Sequence, residues 1–165
     1  MKKSVILFVS VFVIVVITQN AKAQNTQSAQ SQASANIISP MTISNNLPLS
    51  FGNIAAGSAS GKVELETNGN RIATNVILPS VTGTVSAAKF TVTGLAGSSY
   101  VLTLPGSTTL TSGSATMTID NFESTATEVL TAGTEEFFVG ATINIAANQT
   151  VGLYEGSFTV TVDYE

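Results

Sequence analysis

The sequence predicts an all-β chain, an antiparallel sandwich of about eight or nine strands. Three observations carry that prediction. From Ile37 onward, short runs of Val, Ile, Thr, Phe and Tyr are separated by Gly, Asn, Pro and Ser every eight to twelve residues, the spacing of a sandwich or barrel. Several runs alternate apolar and polar residues with a period of two, as a half-buried strand does. No segment sustains a 3.6-residue apolar period between capping signals, so almost no helix is expected.

The elements follow in order. Ile37–Ile43 contains Pro40, which lacks an amide donor and marks an edge strand or a bulge. Leu47–Ile54 is the next run. Val63, Leu65 and Thr67 alternate with Lys62, Glu64 and Glu66, giving one buried and one charged face. Asn68-Gly69-Asn70 tolerates positive φ and turns this strand back into Arg71–Leu78 as a hairpin. In Ala88–Thr93 and Ser99–Leu104 the apolar positions Phe90, Val92, Tyr100, Leu102 and Leu104 address one core. Thr116–Phe122 and Phe137–Ile145 follow, and Phe137-Phe138 places adjacent aromatics on opposite faces. In Tyr154–Tyr164, the inward row is Tyr154, Phe158, Val160, Val162 and Tyr164, interrupted at Gly156.

Ahead of these strands lie two segments of different character. Lys2 and Lys3 precede an apolar run, Val5–Ile17, and Ala21-Lys22-Ala23 offers small residues at a cleavage position, the pattern of a secretory signal over residues 1–23. The thirteen-residue run falls short of the roughly 20 residues that a spanning helix needs, so no membrane span is expected after cleavage. Residues 24–36, QNTQSAQSQASAN, hold no large apolar side chain and cannot offset their ordering entropy by burial. They read as a flexible polar leader, with residues 37–165 as one sandwich domain. Beyond residue 23 only Lys62, Arg71 and Lys89 oppose ten acids, a formal charge of −7. Such a surface repels nucleic acid, and the expected compartment is secreted, periplasmic or cell-surface.

Composition also limits the chemistry. The chain has no Cys, His or Trp, which excludes thiol and imidazole catalysis, zinc fingers and a disulfide framework. Ser86-Ala87-Ala88-Lys89 fits an S-x-x-K pattern, but that mechanism needs both side chains on one helical turn, and here the Lys opens a strand. Gly57-Ser58-Ala59-Ser60-Gly61 has Ala where a nucleophile elbow needs Ser. Glu64 with Glu66, Glu135 with Glu136, and Asp120-Asn121 near Glu123 are acidic pairs without calcium-loop spacing. No enzyme, cofactor or metal is therefore expected.

The C-terminus resembles pilus subunits of the chaperone–usher route, in that Tyr164 is penultimate, Gly152 is fourteenth from the end, and Phe158, Val160 and Val162 alternate. A longer resemblance covers about Ile37 to Glu165. Leu49-Ser50-Phe51-Gly52-Asn53-Ile54, Phe90-Thr91-Val92-Thr93-Gly94, Leu104-Pro105, and Val139-Gly140-Ala141-Thr142 through Asn148-Gln149 to Gly152-Leu153-Tyr154-Glu155-Gly156 are similar to the bacterial domain of unknown function 4402. These resemblances imply an exported immunoglobulin-like or pilin-like sandwich and no particular reaction.

The expected function is a non-enzymatic structural or adhesive role at the cell surface, similar to fimbrial subunits. Gly152, Tyr154, Phe158, Val160, Val162 and Tyr164 are the candidate strand-pairing residues. The partners would be like subunits or a periplasmic chaperone, through β-strand addition. A pilin-type donor strand carries alternating large apolar residues, whereas residues 24–36 offer only Ala29, Ala33 and Ala35. Either Ile37, Ile38, Met41 and Ile43 serve as the donor, or the sandwich is already complete. The alternative function is a secreted binding module for a glycan or surface partner.

Overall fold

A computed structural model describes residues 26–165; the signal expected at residues 1–23 lies outside them. The chain divides after Asn36, and Ile37–Glu165 is the larger compact unit. Among the described residues there is no helix, and hence none long and apolar enough to cross a membrane. The described residues form eleven strands: β1 (Thr42–Leu47), β2 (Ser50–Phe51), β3 (Gly61–Leu65), β4 (Arg71–Thr74), β5 (Val85–Ser86), β6 (Ala88–Thr93), β7 (Tyr100–Thr103), β8 (Ser107–Ser112), β9 (Ala115–Ser124), β10 (Thr134–Ile145) and β11 (Thr161–Tyr164). All pairings are antiparallel.

β10 organises the sheet. Its first half, Thr134–Val139, pairs with β6, which in turn pairs with β1. Its second half, Ala141–Ile145, pairs with β3, and β3 with β4. β9 joins β10 across Val139–Asn144 and carries β8 outside it. The junction falls at Gly140, where the β9 register shifts and an added Cβ would collide with the Leu65 carbonyl oxygen. A side chain at that point would force β3 away from β10.

Each half of β10 has its own apolar cluster. Val63, Leu65, Ile119, Ile143 and Ile145 pack with Phe51 beneath the short β2–β5 pair. Phe90, Val92, Tyr100, Leu130, Phe137 and Val139 pack beneath β7–β11. Leu49 and Phe122 touch both clusters, so the core is continuous. Phe90 stacks on Phe137 at 5.6 Å between centroids, and Phe158 closes on Phe122 at 5.0 Å. With no disulfide available, this burial of Leu, Val, Ile and aromatic side chains is what offsets the entropy of ordering the chain.

Several expectations are met residue by residue. Val63 and Leu65 are buried while Lys62 is exposed. The Asn68–Asn70 turn returns β3 into β4, pinned by Asn70 N–H to Asn68 Oδ1 at 2.8 Å. Phe137 is fully buried and its neighbour Phe138 is 38% exposed, packed near the Lys89 ammonium.

Other boundaries need correction. The strand expected at Ile37–Ile43 begins only after Pro40, at Thr42. Leu47–Ile54 contracts to Ser50–Phe51, because Pro48 lacks a donor and Gly52 turns with φ 67°. Arg71–Leu78 stops at Thr74, where Asn75 takes φ 57°. Tyr154–Tyr164 keeps its alternation, but only Thr161–Tyr164 lies in a strand, preceded by a lone bridge from Glu155 to Thr111. The strands β5 and β8 lie outside the sequence-based segments.

One polar clasp joins buried Tyr100 of the second cluster to half-buried Glu135. Tyr100 Oη donates to Glu135 Oε2 at 2.8 Å, and Glu135 Oε1 accepts from both the Thr127 amide and its hydroxyl, at 2.5 and 2.9 Å. Burial alone would raise the Glu135 pKa, but those hydrogen bonds outweigh it and hold the carboxyl below its ordinary value. Burial, followed by the bond to Glu135 and its negative charge, pushes the Tyr100 phenol upward.

Candidate functional site

A groove of about 790 Å³ lies over the first cluster. Pro48–Ile54 line it on one side and Val151–Phe158 on the other, with Leu110, Met117, Ile119 and Ile143 between them. Ile119 and Ile143 are buried, at 3% and 4% exposure, whereas Leu110 and Met117 are half-buried. The rim carries two unpartnered apolar side chains, Val151 at 98% and Leu153 at 75% exposure.

The two walls are held differently. On the β2 side, Ser50 and Phe51 pair with β5, and Arg71 Nη1 donates to the carbonyls of Phe51 and Asn53 at 2.7 and 3.0 Å. One of the few cations of the chain is thereby spent on fixing a strand edge. The C-terminal wall is sparsely bonded. Glu155 exchanges both backbone hydrogen bonds with Thr111, and Ser157 accepts from Thr108 Oγ1 at 2.8 Å. Among the described residues, Gly156–Thr159 make no backbone-to-backbone hydrogen bond. The backbone of Gly156–Thr159 thus has, among the described residues, the Thr108 side chain as its hydrogen-bond partner at Ser157 O.

Gly156 explains the interruption in the inward row. The segment crosses directly over β8, and an added Cβ would stand 2.6 Å from the Thr109 carbonyl oxygen. Gly152 lies against the Ser112 side chain. Tyr154 is anchored locally, donating to Thr150 O at 2.7 Å and accepting from Gln149 Nε2 at 2.8 Å.

The six residues singled out from the sequence therefore fall into two groups. Gly152, Tyr154 and Phe158 line the groove. Val160 and Val162 pack on the second cluster, and Tyr164 Oη donates to Ser39 O at 3.0 Å while accepting from the Leu95 amide at 2.7 Å. All of the row except Gly152 is half-buried, as its parity requires. The opposite wall and Met117 fall in the expected strands Leu47–Ile54 and Thr116–Phe122 but are not among the six, and Leu110 lies in Ser107–Ser112, a Thr-rich stretch whose β-branched residues signal a strand.

The motif-like fragments disperse. Ser86 Oγ donates to Pro48 O at 2.7 Å, and Lys89 pairs with Glu136 at 3.0 Å. Asp120 Oδ2 accepts from Asn144 at 2.9 Å. Among the described residues no three acidic side chains converge as metal ligands.

A model of the family described as a domain of unknown function, DUF4402, matches residues 41–164. The chain belongs to the DUF4402 family. The match runs from Met41, just before β1, to Tyr164 at the end of β11, so the groove and both walls lie within the DUF4402 domain. No curated protein and no solved structure matches the chain.

Proposed function

We propose that this DUF4402 chain is an exported, non-enzymatic β-sandwich with a structural or adhesive role at the cell surface, and that it associates by β-strand addition in the groove. One observation carries the reading. A sandwich face with an apolar floor is bordered by Gly156–Thr159, an extended segment without backbone partners among the described residues. An added strand would supply those hydrogen bonds and cover Leu110, Met117 and Leu153 at once. The acidic surface left after removal of residues 1–23 suits a secreted, periplasmic or cell-surface location. Like subunits or a periplasmic chaperone are the partners of matching chemistry, and the likeness to fimbrial subunits rests on the C-terminal pattern.

The test is self-association of the exported protein, followed by light scattering over a concentration series. Val151→Asp with Leu153→Asp, both on the exposed rim, is expected to abolish association without loss of folding. An exported protein that stays monomeric throughout the series and acquires no strand from a periplasmic chaperone refutes the reading.

A further inference from the structure

We infer that a shallow pocket on the outward face of β10, separate from the groove, receives the guanidinium group of an arginine side chain from a partner protein. The two sites lie on opposite faces of the strand, since Ile143 lines the groove and its neighbour Thr142 lines the pocket. The pocket, of about 150 Å³, is made by an irregularity in the sheet. Gly140 pairs with Glu123 and Thr142 with Asp120, so Asn121 and Phe122 together oppose Ala141, and Asn121 takes φ 48°. Such a bulge re-aims side chains. Phe122 turns into the core, and Glu123 comes out exposed opposite Gly140, whose missing side chain leaves the floor bare.

The polar groups around that floor lack partners. Thr142 is 3% exposed, yet among the described residues its hydroxyl makes no hydrogen bond. Every fully enclosed side-chain nitrogen or oxygen there has a partner, so the Thr142 hydroxyl opens into the pocket that it lines. Glu64 and Glu66 flank the floor on the β3 side and Glu123 on the β9 side. Glu66 accepts one bond, from Asn68 Nδ2 at 3.1 Å, whereas Glu64 and Glu123 accept none among the described residues. The one ion pair among those residues joins Lys89 to Glu136, so Lys62, which also lines the pocket, pairs with none of the three carboxylates.

These groups select the ligand. Three carboxylates against one ammonium call for a cation that donates hydrogen bonds. Among the described residues no three acidic side chains converge as metal ligands. The flanking strands β3 and β9 stand on either side of β10, about 10 Å apart at the usual strand spacing. A guanidinium, planar with N–H donors on both edges, reaches carboxylates on two sides and leaves a donor for the Thr142 oxygen. A point cation does not. The pocket is smaller than the roughly 300–1,000 Å³ that encloses a free small molecule, so it takes the end of a side chain rather than a whole metabolite. A second copy is excluded as the donor, because the sole arginine of the chain, Arg71, is held by the carbonyls of Phe51 and Asn53.

Titration of the exported protein with a capped glycine-arginine-glycine peptide at low ionic strength, followed by the amide resonances of Gly140 and Thr142, tests the assignment. Saturable shifts at both amides are expected, with the matching lysine peptide binding at least about threefold more weakly and affinity falling as salt rises. Thr142→Val and Glu64→Gln, checked for folding by circular dichroism, should each weaken binding about threefold or more. Lys62→Met should tighten it by removing a like charge. No saturable shift at Gly140 and Thr142, or unchanged affinity in both Thr142→Val and Glu64→Gln, overturns the site. Equal binding of the lysine peptide overturns the guanidinium, weaker binding by Lys62→Met overturns a cationic ligand, and tighter binding of free agmatine than of the peptide overturns a partner's side chain as the source. The rim variant of Val151 and Leu153 should bind the peptide as wild type does; loss of binding there overturns the separation of pocket from groove.

Discussion

Tyr100→Phe isolates the clasp at the end of the second cluster. The ring, 1% exposed, keeps its packing, and only the hydroxyl that donates to Glu135 at 2.8 Å is lost. Hydrogen bonds to charged groups contribute about 1.5–3 kcal/mol. Glu135 is half-buried and retains its Thr127 donors, and water reaches the vacated oxygen, so the lower end, about 1.5 kcal/mol, is expected. For a domain of this size that corresponds to a Tm lower by about 5 °C at pH 7, read from circular dichroism melts. The pH dependence sharpens the test. The folded pKa of Glu135 is depressed, so its contribution is fully present above the unfolded value of about 4.3 and is lost as pH falls through the lower, folded value. Removing the Tyr100 donor returns the folded pKa toward the unfolded one. The gap between wild type and Tyr100→Phe should therefore hold from pH 7 to about pH 5 and narrow below it. A gap that persists unchanged into that acid range, or a variant as stable as wild type at pH 7, refutes the assignment.

Further outcomes follow from single contacts. Leu130→Ala removes a fully buried side chain from the second cluster and should cost about 2–5 kcal/mol in urea unfolding. Gly140→Ala places a methyl group against the Leu65 carbonyl and should cost about 1–3 kcal/mol, with faster amide exchange along both β3 and β10. Arg71→Met removes two bonds to the β2 wall and should accelerate amide exchange at Phe51 and Asn53 more than at Ile143. Leu153→Ser, at an exposed rim position, should change stability by less than about 0.5 kcal/mol while weakening self-association.

Much of the strand pattern was legible because alternation is a local property. Val63 and Leu65, Phe90 and Val92, and the row Phe158, Val160, Val162 and Tyr164 all turn inward as their parity predicts. Strand ends were less legible, since a ladder ends where its partner ends. Gly156–Thr159 belong to the same alternating row as Thr161–Tyr164 but lie outside the β7 ladder, because β7 extends only from Tyr100 to Thr103. Ser107–Ser112 forms a regular strand on β9 with only one large apolar residue, Leu110, so hydrophobic periodicity gave it no prominence. Arg71 opens β4, and its role as the tie between β4 and the β2 wall depends on segments about twenty residues apart in the chain.

The sequence by itself determined the all-β class, the inward and outward parity of most strands and the absence of Cys and His chemistry, because periodicity and composition require no knowledge of partners. Tertiary structure decided which segments meet and where the ladders end. The division of β10 at Gly140, the meeting of Pro48–Ile54 with Val151–Phe158 around one groove, and the lack of backbone-to-backbone bonds at Gly156–Thr159 among the described residues all arise from long-range pairing and register. A strand edge is open or closed according to what lies beside it in space, and neighbouring residues in the chain do not encode that contact locally.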